Sequence, residues 1–163
     1  MESEAIIKVL NLRKWFNLRR RIFNFSKVAQ LYIRAVDDVS FSIRRKEILG
    51  LVGESGCGKT TTGRLLTRLI EPTGGQLFFE DRDITHLKGE ELRRLRSKMQ
   101  IVFQDPYSSL NPRMTVEQIL MEPILVHKLM KDKQKIRQKI KIALETVGII
   151  PPEEFLASNL FLL

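Results

Sequence analysis

The stretch "GLVGESGCGKTTTGRLL", Gly50 to Leu66, decides the reading of this chain. Gly53, Gly58, Lys59 and Thr60 fit the spacing G-x-x-x-x-G-K-[ST], in which small residues let the backbone close around a phosphate. Glu54, Ser55, Gly56 and Cys57 complete the loop. Successive N–H groups form an anion-binding nest, and the helix behind them adds roughly half a positive charge at its first turn. In this pattern Lys59 reaches the β/γ-phosphates and the Thr60 hydroxyl ligates Mg2+. Thr61 offers a hydroxyl and an amide near the α/β-phosphates. The plainer reading is a glycine turn that binds nothing, which leaves Lys59 without a structural job. Cys57 reads as a small filler with a passive thiol.

The flanks supply the context that the motif requires. "EILGLV" before it is a short apolar run, the pattern of a buried strand, and Leu65, Leu66 and Leu69 after it keep helical spacing until "EPTGG" stops them. Further out, "AIIKVLNL" (Ala5 to Leu12) predicts a first strand. In "AVDDVSFSI", Val36, Val39, Phe41 and Ile43 sit between polar partners and predict a half-buried one. "NLRRRIFNFSKVAQLYI" between them has no clean period and reads as a long hairpin connection or insertion. "QLFFE" predicts a strand, "DRD" a turn, "GEELRRLRSK" a short polar helix and "MQIVFQ" a second buried strand. Pro106 and Pro112 bound a structured loop, "DPYSSLNP". Thr115 opens a helix with Val116, Ile119, Leu120 and Ile124 on one face. Ile136, Ile140, Ala143, Leu144 and Val147 stripe the next, which Gly148 and two prolines end.

Composition sets the outer limits. With 163 residues, 43% hydrophobic and 29% charged, the chain suits one ordinary globular domain. No apolar run approaches the ~20 residues of a membrane span, the N-terminus opens acidic with no signal-peptide core, and a single cysteine excludes an internal disulfide framework. The net charge of +9 is clustered: ten basic residues lie between Arg13 and Lys46, and seven between Lys128 and Lys141. Solvated faces explain such clusters first, a membrane-facing or partner-facing bias second. Nucleic acid is not expected as a partner, since no interleaved aromatics form a stacking platform. His86 and His127 have no metal-ligand spacing with any partner.

A phosphate loop alone does not choose between GTPases, kinases, helicases and transport ATPases. "VGESGCGKTT", then "MQIVFQDPYSSLNPRMTVEQIL", then "EP" and His127, closely resemble the ATP-binding subunit of oligopeptide/dipeptide ABC importers, over about residues 5 to 155. The resemblance implies an α/β fold: a P-loop NTPase core of the ABC ATPase type, with an antiparallel β-subdomain and the start of a helical subdomain. It divides the chain into residues 1–50 (β-subdomain with the inserted connection), 51–104 (phosphate loop to Q-loop) and 105–163 (start of the helical subdomain). It implies ATP and Mg2+ as cofactors, and Gln104 as the Q-loop glutamine that touches Mg2+ and the attacking water; a polar cap on a strand end is its plainer reading. Phe16, or less readily Trp15, lies where the family stacks an aromatic on adenine, and a hydrophobic anchor is the alternative. Asn111, Pro112 and Arg113 match the region that docks on membrane permease subunits. A second ABC ATPase, identical or paralogous, and a location on the cytoplasmic face of the cell membrane are implied as well. Two positions depart from the family, which has glycine where this sequence has Lys46 and Asp81.

The family also carries an LSGGQ-like signature, an apolar strand ending in Asp-Glu and a switch histidine, downstream of the Q-loop, and none appears in these 163 residues. "PTGGQ" (Pro72 to Gln76) precedes the Q-loop and leads into a strand, so Gly74–Gly75 read as a tight turn instead. The tail "LASNLFLL", residues 156–163, has no evident packing logic and is expected to be aberrant. The expectation is therefore an N-terminal fragment of a subunit roughly twice as long, made by truncation or frameshift, that holds ATP without turning it over and folds marginally when expressed alone. An ATP-binding subunit energising peptide uptake and a nucleotide-binding fragment or interaction module without turnover are the two leading functional readings; an unrelated P-loop enzyme or nucleic-acid motor, suggested only by charge, is the third.

Overall fold

The computed structural model describes residues 5–18, 31–105 and 110–159. These divide into two compact units, Met1–Gln100 and Ile101–Leu163. Nothing in the connection 19–30 or at 106–109 is described, so most of the inserted hairpin connection and the centre of "DPYSSLNP" lie outside the described residues.

The first unit is built on a four-stranded antiparallel sheet. Its strands are β1 (Ala5–Leu18), β2 (Leu31–Arg44), β3 (Gly74–Phe79) and β4 (Arg82–Asp83), in the order β2-β1-β3-β4. Helices α1 (Lys59–Leu66) and α2 (Gly89–Arg96) complete it. Val9, Leu12 and Val36 from the hairpin, Leu77 and Phe79 from β3, Ile84, Leu65 from α1 and Leu95 from α2 form one buried core.

Strict alternation would put Val9 and Leu12 on opposite faces, yet both are fully buried. The pairing slips at four places along the hairpin; the two that bear on this face lie between Val9 and Leu12, with an extra residue on β1, and between Leu12 and Lys14, with an extra residue on β2. The extra residues are Asn11 and Asp38, both in the left-handed region (φ 48° and 58°), which short polar side chains tolerate. They bond to each other, Asn11 Nδ2 donating to Asp38 Oδ1 at 3.0 Å, while the Asn11 N–H donates to Ser40 Oγ at 2.7 Å. The bulges turn the face over so that Val9 and Leu12 both point inward. Gly75 lies against this kink at φ +86°, where a Cβ would stand 2.3 Å from the Asn11 carbonyl oxygen. Gly74–Gly75, expected as a tight turn, are thus the first residues of β3, and glycine is there for close approach. The tight turn comes at Glu80–Asp81 instead, both with positive φ, as a two-residue hairpin requires.

The two expected buried strands "EILGLV" and "MQIVFQ" do not form. Residues 47–54 and 99–103 carry no strand, and Ile48 and Val52 are each 97% exposed, Val102 89%. A strand exists only through its neighbours' N–H and C=O groups, and among the described residues no segment pairs with either run.

The second unit is helical: α3 (Val116–Val126), α4 (Lys133–Thr146) and α5 (Pro152–Leu156). Val116, Ile136, Ile140, Leu144 and Leu156 form its core. Thr115 and Gln118 make a reciprocal capping box at the start of α3, and Asp132 accepts from the Gln134 and Lys135 N–H groups at the start of α4. Helix α4 ends in a Schellman motif: Gly148 adopts φ 85°, its N–H donates to the Glu145 carbonyl, and the Ile149 N–H donates to the Leu144 carbonyl. Of the expected stripe, Ile136, Ile140 and Leu144 are buried, whereas Ala143 and Val147 face solvent. The tail differs from expectation as far as residue 159. Leu156 is 1% exposed in the core, the Val116 N–H donates to the Ser158 carbonyl at 3.0 Å, and Asn159 bridges to Thr115. Residues 160–163 lie outside the described residues.

A candidate phosphate site on the first unit

Residues Gly53 to Gly58 leave the exposed run 47–52 and curl into the N-terminus of α1. The curl closes on itself through the Cys57 N–H, which donates to the Glu54 carbonyl at 3.3 Å. Gly56 (φ 83°) and Gly58 (φ 96°) hold left-handed conformations that L side chains resist. Gly58 is also wedged against β2: a Cβ there would lie 2.1 Å from the Ala35 carbonyl oxygen. No side chain caps α1, so the N–H groups of its first turn remain for an outside acceptor.

Lys59 folds back over the curl. Its ammonium donates to the carbonyls of Gly53 at 2.7 Å and Glu54 at 2.6 Å, with Cys57 Sγ at 3.4 Å. A positive charge therefore sits in the mouth of the loop, held by backbone oxygens that a phosphate oxygen can replace. Thr60 is exposed on the first turn, and Thr62 is committed elsewhere, its hydroxyl donating to the Gly58 carbonyl at 3.0 Å. The donor set suits an anion: the stretch carries backbone amides, the Lys59 ammonium and the Ser55, Thr60 and Thr61 hydroxyls, and its only carboxylate is that of Glu54.

The two aromatics on β1 have different surroundings. Trp15 Nε1–H donates to Asp37 Oδ1 at 3.0 Å, the Arg34 guanidinium lies 4.8 Å from its ring and Tyr32 packs at 6.3 Å. Phe16, 41% exposed, carries the Lys14 ammonium over its ring, 5.1 Å from the centroid. It pairs with Ile33 across the hairpin, two residues along β2 from Ala35, whose carbonyl touches Gly58.

Gln104 and Asn111 to Arg113 belong to the second unit. Gln104 lies exposed in a bend. Asn111 Oδ1 accepts the Arg113 N–H at 3.0 Å and its carbonyl accepts the Met114 N–H, so Asn111–Pro112–Arg113 forms an exposed turn that delivers the chain to the Thr115 cap.

A match to the ABC transporter family model covers residues 36–160. The chain belongs to the ABC transporter family. Among ABC relatives, the oligopeptide transport ATP-binding protein AppF of Bacillus subtilis is 42% identical over 160 residues, 94% of this chain and 47% of that protein. OppF of the same organism, also an oligopeptide transport ATP-binding protein, is 51% identical over 118 residues, 72% of this chain and 39% of that protein. The glutathione import ATP-binding protein GsiA of Pectobacterium atrosepticum is 42% identical over 159 residues. The chain therefore spans less than half the length of these relatives. Its fold is shared with the dimeric ATP-binding cassette MJ0796 solved with ADP and Pi, at TM-score 0.72 and 22% identity, covering 96% of this chain and 62% of that one. It is shared equally with cbiO1 of Clostridium perfringens, part of the cbiONQ transporter complex, at TM-score 0.69 and 24% identity. The expected ABC ATPase fold with its antiparallel subdomain is thus present.

Two features of the site escaped sequence reading. Lys14 is visible in the sequence only as a cation two residues from Phe16, a spacing that puts both on one strand face. Arg68 is 1% exposed and donates to the carbonyls of Ile84 at 2.8 Å, Leu87 at 3.2 Å and Ile70 at 3.3 Å, tying the end of α1 to the segment after β4. Its burial pulls the guanidinium pKa below the ordinary arginine value. A lone arginine in a helix tail gives no sign of this; only the tertiary fold does.

Proposed function

We propose that this chain is the nucleotide-gripping part of an ATP-binding subunit that energises uptake of peptides, or a related solute, through an ABC importer. The observation that carries the reading is the curl of Gly53 to Thr61 with the Lys59 ammonium at its mouth and an uncapped helix behind it. Gly53, Glu54, Ser55, Gly56, Cys57 and Gly58 offer backbone amides to the phosphates, Lys59 its ammonium, and Thr60 and Thr61 the first turn of α1. The Thr60 hydroxyl would hold Mg2+, which neutralises phosphate charge, and Gln104 of the second unit would serve as the Q-loop glutamine. Phe16 would carry the adenine; Trp15, engaged with Asp37 and Arg34, is less free to do so. Asn111, Pro112 and Arg113 would meet the permease subunits, and a second ATPase subunit would pair with this one at the cytoplasmic face of the membrane. No helix among the described residues is long and apolar enough to cross a membrane, in keeping with a peripheral subunit.

The experiment is Mg-ATP binding by equilibrium dialysis on the chain and on Lys59→Ala. Loss of a charge-assisted contact predicts an affinity about ten- to hundredfold lower in the variant. Equal binding by both would refute the site. A second reading, nucleotide binding without turnover by these 163 residues, is favoured by the strandless run 47–52 leading into the loop, which leaves its base unclamped. Phosphate release above background that depends on both Lys59 and Gln104 would reject that second reading.

A further inference from the structure

We infer that Lys14 is a positioning residue for the base end of the nucleotide: it fixes the Phe16 ring and so sets part of the affinity for a purine triphosphate over a bare triphosphate. The inference rests on Phe16 as the base platform. Lys14 and Phe16 are two residues apart on β1, where side chains share a face. The Lys14 ammonium lies over the Phe16 ring, 5.1 Å from its centroid, and donates to the Glu71 carbonyl at 2.7 Å. Glu71 follows the last turns of α1, whose other end carries the phosphate loop. The neighbouring bonds are of the same kind: the Thr73 N–H donates to the Arg13 carbonyl at 2.8 Å and the Trp15 N–H to Thr73 Oγ1 at 3.0 Å. Residues 13–15 of β1 are thereby stapled to the segment 71–73.

The consequence for the ring is geometric. An exposed phenylalanine near a strand end has several rotamers open to it, and each unproductive one lowers the fraction of molecules ready to stack. A cation anchored on a backbone carbonyl and seated on one ring face selects one arrangement and leaves the opposite face for a base. It also draws electron density from the ring, which weakens the face-to-face repulsion between two π systems.

The test measures Mg-ATP and magnesium tripolyphosphate binding to the parent chain, Lys14→Met, Lys14→Arg and Phe16→Ala. Both ligands fill the phosphate loop and only one has a base. Lys14→Met is expected to weaken Mg-ATP about three- to fivefold, the size of an exposed cation–π contact, with tripolyphosphate unchanged. Lys14→Arg restores most of the loss, and Phe16→Ala weakens Mg-ATP at least as much as Lys14→Met. Parent-like ATP binding by Lys14→Met with a weakened Phe16→Ala overturns the role of Lys14 and leaves Phe16 standing. An equal loss on both ligands in Lys14→Met overturns it too, by showing a general effect of charge or folding. Parent-like ATP binding by Phe16→Ala overturns the platform itself and the inference with it.

Discussion

Leu12 and Ile48 sit in runs of similar apolar character, and their fates are opposite: Leu12 is fully buried and Ile48 is 97% exposed. Residue type does not separate them. Leu12 lies on a strand bonded on both sides, to β2 and to β3, and helices α1 and α2 contribute Leu65 and Leu95 to the same core. Ile48 lies in a segment with no strand partner among the described residues. Apolar sequence supplies the tendency to be a strand, and backbone partners decide whether the strand exists.

The largest test of that contrast is truncation on each side of it. Leu12→Ala should cost about 2–5 kcal/mol by urea unfolding, since it opens a cavity in the sheet core. The double change Ile48→Ser with Val52→Ser should move stability by no more than about 0.5 kcal/mol while reducing self-association in sedimentation, because it removes an exposed apolar run. A large stability loss in the double variant would mean that the run 47–52 is packed in solution.

A smaller effect concerns turns. Lys46 and Asp81, the two positions that depart from family glycines, both hold left-handed backbone, at φ 63° and 59°. Lys46→Gly should stabilise the first unit by up to about 1 kcal/mol, and Asp81→Gly by less, because aspartate tolerates that region better than lysine. Thermal unfolding in which both variants melt below the parent would show that the side chains, not the backbone, decide these turns.

The smallest effect is one of pH. The Thr85 hydroxyl and N–H bonded to Asp83 hold its carboxyl below the ordinary aspartate value, and Asn11 with Arg13 does the same for Asp38. Depressed carboxyl pKa values contribute stability above the unfolded-state pKa and lose it as pH falls through the folded one. The first unit should therefore melt progressively lower from about pH 5 downward, by a modest margin since both groups are solvent-exposed. Asp83→Asn should remove its own share of that acid limb and leave the share of Asp38.

What was legible in the sequence was what is local. The phosphate loop is a run of consecutive residues whose glycines, lysine and threonine specify their own conformation. The capping residues Thr115 and Asp132 and the stop at Gly148 act on the next few residues, so α3 and α4 were readable to within a turn. The bulge pair Asn11–Asp38 and the close approach of Gly75 depend on residues 27 and 64 positions apart, and nothing in either neighbourhood marks them. The same non-locality hid Arg68 and Lys14, whose partners are carbonyls brought near by the fold. Leu156 looked like noise because its packing partners precede it by a whole helix pair.

The return of Ser158 and Asn159 to Val116 and Thr115 closes the helical unit like a clasp. A bundle whose way in and way out are adjacent makes little demand on the chain that carries it. It can be lengthened, shortened or transplanted into a surface loop while its host keeps its own geometry. Such portability lets evolution revise one unit without redrawing the other.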